Sequence, residues 1–285
     1  MEPASTVAPG TLVDGYVVES MVGSGAMGTV CVAREGNSDQ LVALKILNPT
    51  VSGDPTYRRR FVAEVRAARS LHHPNVVRVY GHGETASGML WMAMQYVAGT
   101  DADRELQAGR MPPERAAHII TEVARALDHA HAHHLVHGDV KPSNFLLGRD
   151  GTVLLADFGL ARSTEDRTPW GENGVVLASA AFASPEVLRG KAVDGRADVY
   201  SLGCALFRLL TGRPPFFDAG SKDAVVDCQL HREPPRVTRY APWLAPGIDD
   251  VVATAMAKDP AARYQSAGEL ARAASSQLRF APRHR

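Results

Sequence analysis

The chain of 285 residues carries 31 Lys and Arg against 31 Asp and Glu, so its formal net charge is zero, and 45% of its residues are hydrophobic. That balance excludes a protein that binds nucleic acid by bulk charge, and the length suits one large domain or two ordinary ones with a sizeable core. Cys31, Cys204 and Cys228 contain no C-x-x-C pair, which excludes a disulfide framework and a thiolate metal site and suits a reducing cytoplasm.

The opening MEPASTVAPG lacks a basic and an apolar leader region, and no run of about 18 apolar residues occurs, so no membrane span is expected. Residues 15–32 read as a strand, a glycine turn and a second strand. Gly23, Gly25 and Gly28 form G-x-G-x-x-G, and the strand-like Thr29-Val30-Cys31-Val32 follows where a dinucleotide-binding turn needs a helix. The loop is therefore expected to fold between antiparallel strands and lay its backbone N–H groups over phosphates.

Residues 41–47, LVALKIL, form the next predicted strand, with Lys45 a cation in an apolar run and costly to bury alone. A helix is predicted over 57–70, where Phe61, Val65 and Ala68 share a face with Glu64. A lysine and a carboxylate that both face inward offset each other's desolvation if they meet; the competing reading leaves Glu64 in water at the edge of the stripe. Arg58, Arg59 and Arg60 read as a solvated helix start. Strands are predicted over 76–80 and 90–96 with a polar turn over 81–88, and Val97-Ala98-Gly99 is the candidate domain boundary.

Beyond it, residues 113–134 carry a helical apolar stripe at Ala116, Ile119, Ile120, Val123, Leu127 and Ala130, opened by Pro113. A metal site built from His133 and His137 would need that helix to continue, and the chain is expected to turn instead. The segment 137–144, H-G-D-V-K-P-S-N, packs an acid, a base and an amide between apolar anchors, Leu135-Val136 before it and Phe145-Leu146-Leu147 after. Pro142 keeps the residue before it out of the helical region. In an extended loop Asp139, Lys141 and Asn144 can face one reaction centre; the bland alternative is a polar turn between strands.

A short strand over 153–155 leads to Asp157-Phe158-Gly159, and 163–174 is polar and irregular. Residues 196–210 are apolar almost all round, which predicts a buried helix. Asp198 shares a face there with Leu202, Ala205 and Leu209, and its carboxylate needs donors, with loop N–H groups the expected source. Helices are predicted over 223–230, 248–258 and 266–276, and no internal repeat occurs.

Taken in order, these pieces resemble the protein kinase family over residues 16–278, and LADFGLAR, DGRADVYSLGCALFRLLTG and AMAKDPAARY resemble the actinobacterial receptor-type Ser/Thr kinases. Gly23, Gly25, Gly28 and Val30 match the glycine-rich loop, Val42-Ala43-Leu44-Lys45 the lysine strand, and Glu64 the helix glutamate. His137-Gly138-Asp139 through Asn144 match the catalytic loop, Asp157-Phe158-Gly159 the metal-binding turn, and Ser184-Pro185-Glu186 the end of the activation segment.

The resemblance implies an α+β, two-lobed kinase-like fold: a tail over 1–14, a small, mainly antiparallel β lobe with one key helix over 15–97, a larger helical lobe over 98–278, and a basic tail over 279–285. It implies transfer of the γ-phosphoryl of ATP to Ser/Thr hydroxyls of proteins. Lys45, paired with Glu64, would hold the α- and β-phosphates; Asp139 would orient the acceptor hydroxyl and take its proton; Lys141 would offset charge on the moving phosphoryl. Asn144 and Asp157 would bind Mg2+, with Mn2+ as a substitute. Val22, Val30, Ala43 and Leu146 would line the adenine site, with backbone bonds from Gln95 and Val97 and Met94 at its back. Asp198 would brace the catalytic loop, and Glu186 would pair with Arg263.

ATP and protein substrates are the implied partners, and self-association with autophosphorylation is compatible with the pattern. The implied location is the cytoplasm, tethered to a membrane if the natural chain continues past Arg285. The alternative is a pseudokinase or nucleotide-binding scaffold. Its prompts are two departures: Gly138 stands where the family usually has an arginine that docks an activation-loop phosphate, and residues 167–177 contain only Thr168 as a hydroxyl, with Gly171 and Asn173 at the usual phosphothreonine positions. Ser179 replaces the usual threonine beside the catalytic acid and offers a similar hydroxyl. Activity is therefore expected not to depend on activation-loop phosphorylation: Thr168→Ala keeps wild-type phosphotransfer, whereas stoichiometric phosphate on Thr168 by mass spectrometry, together with an inactive Thr168→Ala, contradicts this.

Overall fold

Antiparallel strands build most of the first of two units into which the chain divides, Met1–His72 with Val77–Ala98, and His73–Val76 with Gly99–Arg285. The computed structural model describes residues 7–25, 27–36, 38–158, 162–163 and 180–278. Gly159, Thr168, Gly171, Asn173 and Ser179, most of the polar stretch 163–174, the start of the N-terminal tail and the basic tail 279–285 lie outside the described residues.

In the first unit, β1 (Leu12–Val13), β2 (Tyr16–Gly25), β3 (Gly28–Glu35) and β4 (Leu41–Leu47) precede two helices, α1 (Pro49–Gly53) and α2 (Pro55–Ser70), and then β5 (Val79–Glu84) and β6 (Leu90–Gln95). The strands pair antiparallel in the order β1-β2-β3-β4-β6-β5. With a side-chain period of two, Val42, Leu44 and Ile46 all turn into one core with Val18, Cys31, Ala33, Trp91 and Ala93. The Asp54 carboxylate accepts from Thr56 N and Tyr57 N, and Pro55 occupies the first turn, so α2 starts two residues before the predicted helix. Phe61, Val65 and Ala68 are buried along it as the stripe requires, and Glu64 is only 8% exposed rather than in water at the edge.

Two expectations for this unit need correction. The strand predicted over 76–80 begins at Val79 and runs through Gly81 and Gly83, which had read as a turn. Those glycines lie under the Trp91 indole, and a Cβ on Gly83 would come within 2.7 Å of the ring, so packing decides the residue type there. Arg58 is not a solvated helix start: it donates to the carbonyls of Ser52 and Gly88 and pairs with Glu84.

The second unit opens with β7 (Gly99–Asp101), α3 (Ala102–Ala108) and α4 (Pro113–Ala132). Then follow β8 (Leu135–Val136), β9 (Phe145–Gly148), β10 (Val153–Leu155) and β11 (Arg162–Ser163). The helices α5 (Pro185–Leu188), α6 (Gly195–Thr211), α7 (Lys222–His231), α8 (Gly247–Ala255) and α9 (Ala267–Leu278) complete it. β7, β9 and β10 make one antiparallel sheet and β8 pairs with β11. The stripe of α4 is wholly buried, and α6 is buried from Ala197 to Leu210 except at Arg208. α4 stops at Ala132 and His134 takes φ 58°, so His133 and His137 share no helical face.

α8 ends three residues before the predicted Lys258. Pro260 disfavours helix at Asp259, and the turn lets Lys258 Nζ reach the Tyr200 hydroxyl at 3.1 Å. Glu186 of α5 and Arg263 form a buried two-pronged pair at 2.7 and 2.8 Å, and Arg263 also donates to the carbonyls of Ala257 and Arg196. With its carboxylate and guanidinium bonded in a fork, the pair carries its own desolvation. Among the described residues no helix is long and apolar enough to cross a membrane.

Candidate active site

The loop between β8 and β9 is held at both ends by buried residues, Leu135 and Val136 on one side and Phe145 on the other. Between them the backbone is fixed mainly by one carboxylate. Asp198 of α6, with no solvent exposure, accepts from His137 N at 2.8 Å through Oδ2 and from Gly138 N at 2.8 Å through Oδ1. His131 Nε2 of α4 lies 2.7 Å from the same Oδ2. Burial alone would push the Asp198 carboxyl up, but the bond to His131, the charge on that ring and the Gly138 N–H outweigh it and hold it below its ordinary value of 3.8.

To point its N–H at Asp198, Gly138 adopts φ 77°, a left-handed backbone that costs an L-residue about 1–2 kcal/mol. The position that departs from the family pattern is thus one where glycine is favoured by the backbone itself. His137, fully buried, accepts from Asp139 N at Nδ1, which leaves Nε2–H to donate to the Ala156 carbonyl at 3.0 Å and settles its tautomer. Its ring also meets the edge of Phe158, with centroids 4.6 Å apart. The Asp157-Phe158 turn is therefore tied to the loop through the histidine, and Asp157 itself sits at φ 65°.

Asp139 is 8% exposed. Its Oδ2 takes the Lys141 ammonium at 2.6 Å and the Asn144 amide at 3.3 Å, and Asn144 Nδ2 also donates to the Asp139 carbonyl at 2.7 Å. The other oxygen, Oδ1, is buried with no hydrogen-bond partner among the described residues. A carboxylate oxygen left this way costs stability in a fold that has no use for it. The acid, base and amide of 137–144 do converge, as an extended loop allows.

In the first unit, cross-strand pairs point to the same face. The register sets Val30 opposite Lys45 and Lys45 opposite Met92, and sets Val32 opposite Ala43 and Ala43 opposite Met94. Val30, Ala43, Lys45 and Met94 thereby share one face of the sheet, opposite the Val42-Leu44-Ile46 core. Gly23 pairs with Val30 and Gly25 with Gly28 at the mouth of the glycine turn, and Val22 is exposed. A Cβ on Gly28 would overlap the Ile46 carbonyl oxygen, so only glycine lets β3 approach β4 there. Gln95 N donates to the Arg78 carbonyl at 2.8 Å, and Val97 lies just beyond β6. Glu64 is on α2 of this unit; Leu146 is half-buried on β9 of the other.

His131 escaped the sequence reading. It lies seven residues after Ala124 and four after Leu127, both buried, so helical spacing already put it on the inner face of α4, where a histidine needs a partner.

An antiparallel sheet with one internal lysine strand, a mainly helical second unit, and an acid–lysine–amide loop braced from a buried helix define a kinase-like α+β fold. The sequence profile of the Protein kinase domain matches residues 16–273. The chain is 49% identical over 280 residues to serine/threonine-protein kinase PknJ of Mycobacterium tuberculosis, covering 96% of this chain and 47% of that protein. It is 40% identical to PknF of the same species over 279 residues, 95% of this chain and 58% of PknF. The crystal structure of the Mycobacterium tuberculosis PknI kinase domain superposes with a TM-score of 0.78 at 35% identity, covering 95% of this chain and all of that one. The chain belongs to the protein kinase family. It spans about half the length of the curated relatives it matches.

Because the folded-state value of Asp198 is lowered, its contribution to stability is complete above the unfolded value near 3.8 and is lost as pH falls through the folded one. Asp198→Asn, which removes the charge and one acceptor, should lower unfolding free energy at pH 7 by about 1–3 kcal/mol and flatten its acid limb below about pH 4. Urea unfolding from pH 7 downwards measures both; an unchanged acid limb contradicts the assignment.

Proposed function

We propose that the protein is an ATP-dependent protein Ser/Thr kinase that works in the cytoplasm as a bacterial signalling enzyme. The observation that carries this is Asp139 Oδ1, a buried acceptor without a partner beside a lysine and an amide that hold the same carboxylate by its other oxygen. Such an oxygen is available to take the hydrogen bond, and then the proton, of an acceptor hydroxyl. Lys141, bound to Oδ2, brings positive charge to the place where a phosphoryl group would gain negative charge. The names of the 49% and 40% identical relatives support protein Ser/Thr as the acceptor, as does a lysine two residues after the acid.

ATP is the proposed phosphoryl donor. The glycine turn and the sheet face carrying Val30, Ala43, Lys45 and Met94 are the groups proposed to meet it in the first unit, with Val22 at the turn. With the Gln95 N–H spent on Arg78, a bond from Gln95 to the base would use its carbonyl, and Val97 would supply the second. Lys45 on β4 and the buried Glu64 on α2 are proposed as the phosphate-holding pair; a carboxylate only 8% exposed is costly without a cation.

The donor set fits magnesium. Asn144 uses its amide nitrogen on Asp139, which turns its carbonyl oxygen to other use, and Asp157 adds a carboxylate; both are the hard oxygen ligands that Mg2+ and Mn2+ take. When bound, the ion would neutralise charge on the phosphates. Self-association and autophosphorylation on a second copy would fit a substrate class of Ser/Thr proteins.

Label transfer from γ-phosphate-labelled ATP to a generic protein substrate tests the proposal. Asp139→Asn should reduce transfer at least about a hundredfold, the range general-base removal spans. Wild-type protein that transfers no label with Mg2+ or Mn2+, or transfer that survives Asp139→Asn, would sink it.

A further inference from the structure

Gln229, on α7, has no solvent exposure, and its amide is spent at both ends. Its Oε1 accepts from the Tyr200 hydroxyl at 2.5 Å, while Nε2 donates to the Ala181 carbonyl at 2.7 Å and the Ala180 carbonyl at 3.3 Å. Its own carbonyl takes Lys258 Nζ at 3.0 Å, and that ammonium also donates to the Tyr200 hydroxyl and the Cys228 carbonyl. A primary amide is costly in a dry site unless so bonded, and an apolar side chain would fill the space at less cost.

What the amide secures is the short stretch 180–183. This leads directly into Ser184-Pro185-Glu186, whose Glu186 is clamped by Arg263. The stretch is thus pinned at its front by Gln229 and at its rear by Arg263. Both clamps lean on α6, through the Tyr200 hydroxyl and the Arg196 carbonyl. Two residues before Tyr200 on the same helix is Asp198, which holds the loop of Asp139. One rigid element therefore sets the position of the 180–183 backbone relative to the proposed base. Ala181, Phe182 and Ala183 remain half-exposed on it, a small apolar surface next to the two bonded carbonyls.

We propose that Gln229 is a positioning residue for the protein substrate. By holding the Ala180 and Ala181 carbonyls it fixes the surface on which the polypeptide carrying the acceptor hydroxyl docks, without touching nucleotide or the transferred group. This rests on the kinase reading above.

The test uses the full chain with wild type, Gln229→Met, Gln229→Glu and Tyr200→Phe. Gln229→Met keeps length and removes the donors without burying a charge. Gln229→Glu keeps the acceptor for Tyr200 and sets an acceptor oxygen, in place of the donor, against the Ala180 and Ala181 carbonyls. Tyr200→Phe leaves the Gln229 bonds to those carbonyls in place. The expected result is a rise of about tenfold in KM for the protein substrate in both Gln229 variants, the scale of one lost buried hydrogen bond, with kcat and the KM for ATP unchanged and a smaller rise in Tyr200→Phe. A KM for protein that does not move, or kcat and both KM values moving together with the melting temperature, overturns the proposal. Amide hydrogen exchange keeps the two claims apart. If wild type transfers no phosphate, the kinase reading fails and the substrate role falls with it; if wild type is active, faster exchange over 180–186 in Gln229→Met with α6 unchanged supports the positioning role, and unchanged exchange there rejects it.

Discussion

A single buried carboxylate sets the geometry on which the second unit's chemistry depends. Asp198 is two residues into the buried stretch of α6, and its two oxygens collect the N–H groups of His137 and Gly138 and the ring of His131. A carboxylate in a dry interior is tolerated only when its acceptor sites are filled. The cost of leaving it unfilled makes the loop adopt the one backbone that supplies two donors side by side. His137 then has its ring nitrogens assigned by Asp139 N and the Ala156 carbonyl, and passes the constraint to the Asp157-Phe158 turn. Asp139 comes last in this chain of constraints, with one oxygen bonded and one left open.

Gly138 follows from the same constraint. Its φ of 77° is imposed by the bond to Asp198, and glycine occupies that region without the penalty an L-residue meets. An arginine at the position would trade backbone strain for a side chain that can dock a phosphate. The absence of that side chain leaves the bracing of Asp139 intact, because the bonds that hold the loop among the described residues are made by backbone and by His137, Lys141, Asn144 and Asp198.

Much of this was legible in the sequence where local pattern and packing agree. The strand over 41–47 and the one over 153–155 have the predicted bounds; the first is an apolar run with one cation between Gln40 and Asn48, and the second a short apolar run between Thr152 and the Asp157 turn. Asp198 could be placed on the inner face of its helix from spacing, with loop N–H groups as its expected donors, while the resemblance to kinases supplied which loop. β5 could not be read, because Gly81 and Gly83 are in the strand to make room for Trp91, which arrives from a strand several residues later. Arg58 was misjudged for a related reason: its partners, Ser52, Gly88 and Glu84, lie up to 30 positions away. His131 and Gln229 carried a weaker sign, a polar residue at a spacing reserved for apolar ones, whose meaning appears only once α6 is packed beside them.

The claim that Asp198 imposes the loop is tested most directly by amide hydrogen exchange at His137 and Gly138, followed by NMR on the intact chain. Buried acceptors at 2.8 Å predict that both amides exchange as slowly as the interior amides of α6, opening only with the unit as a whole. Exchange at the rate of an open loop at either position, with α6 still protected, would mean that the carboxylate does not hold the loop and would contradict the account.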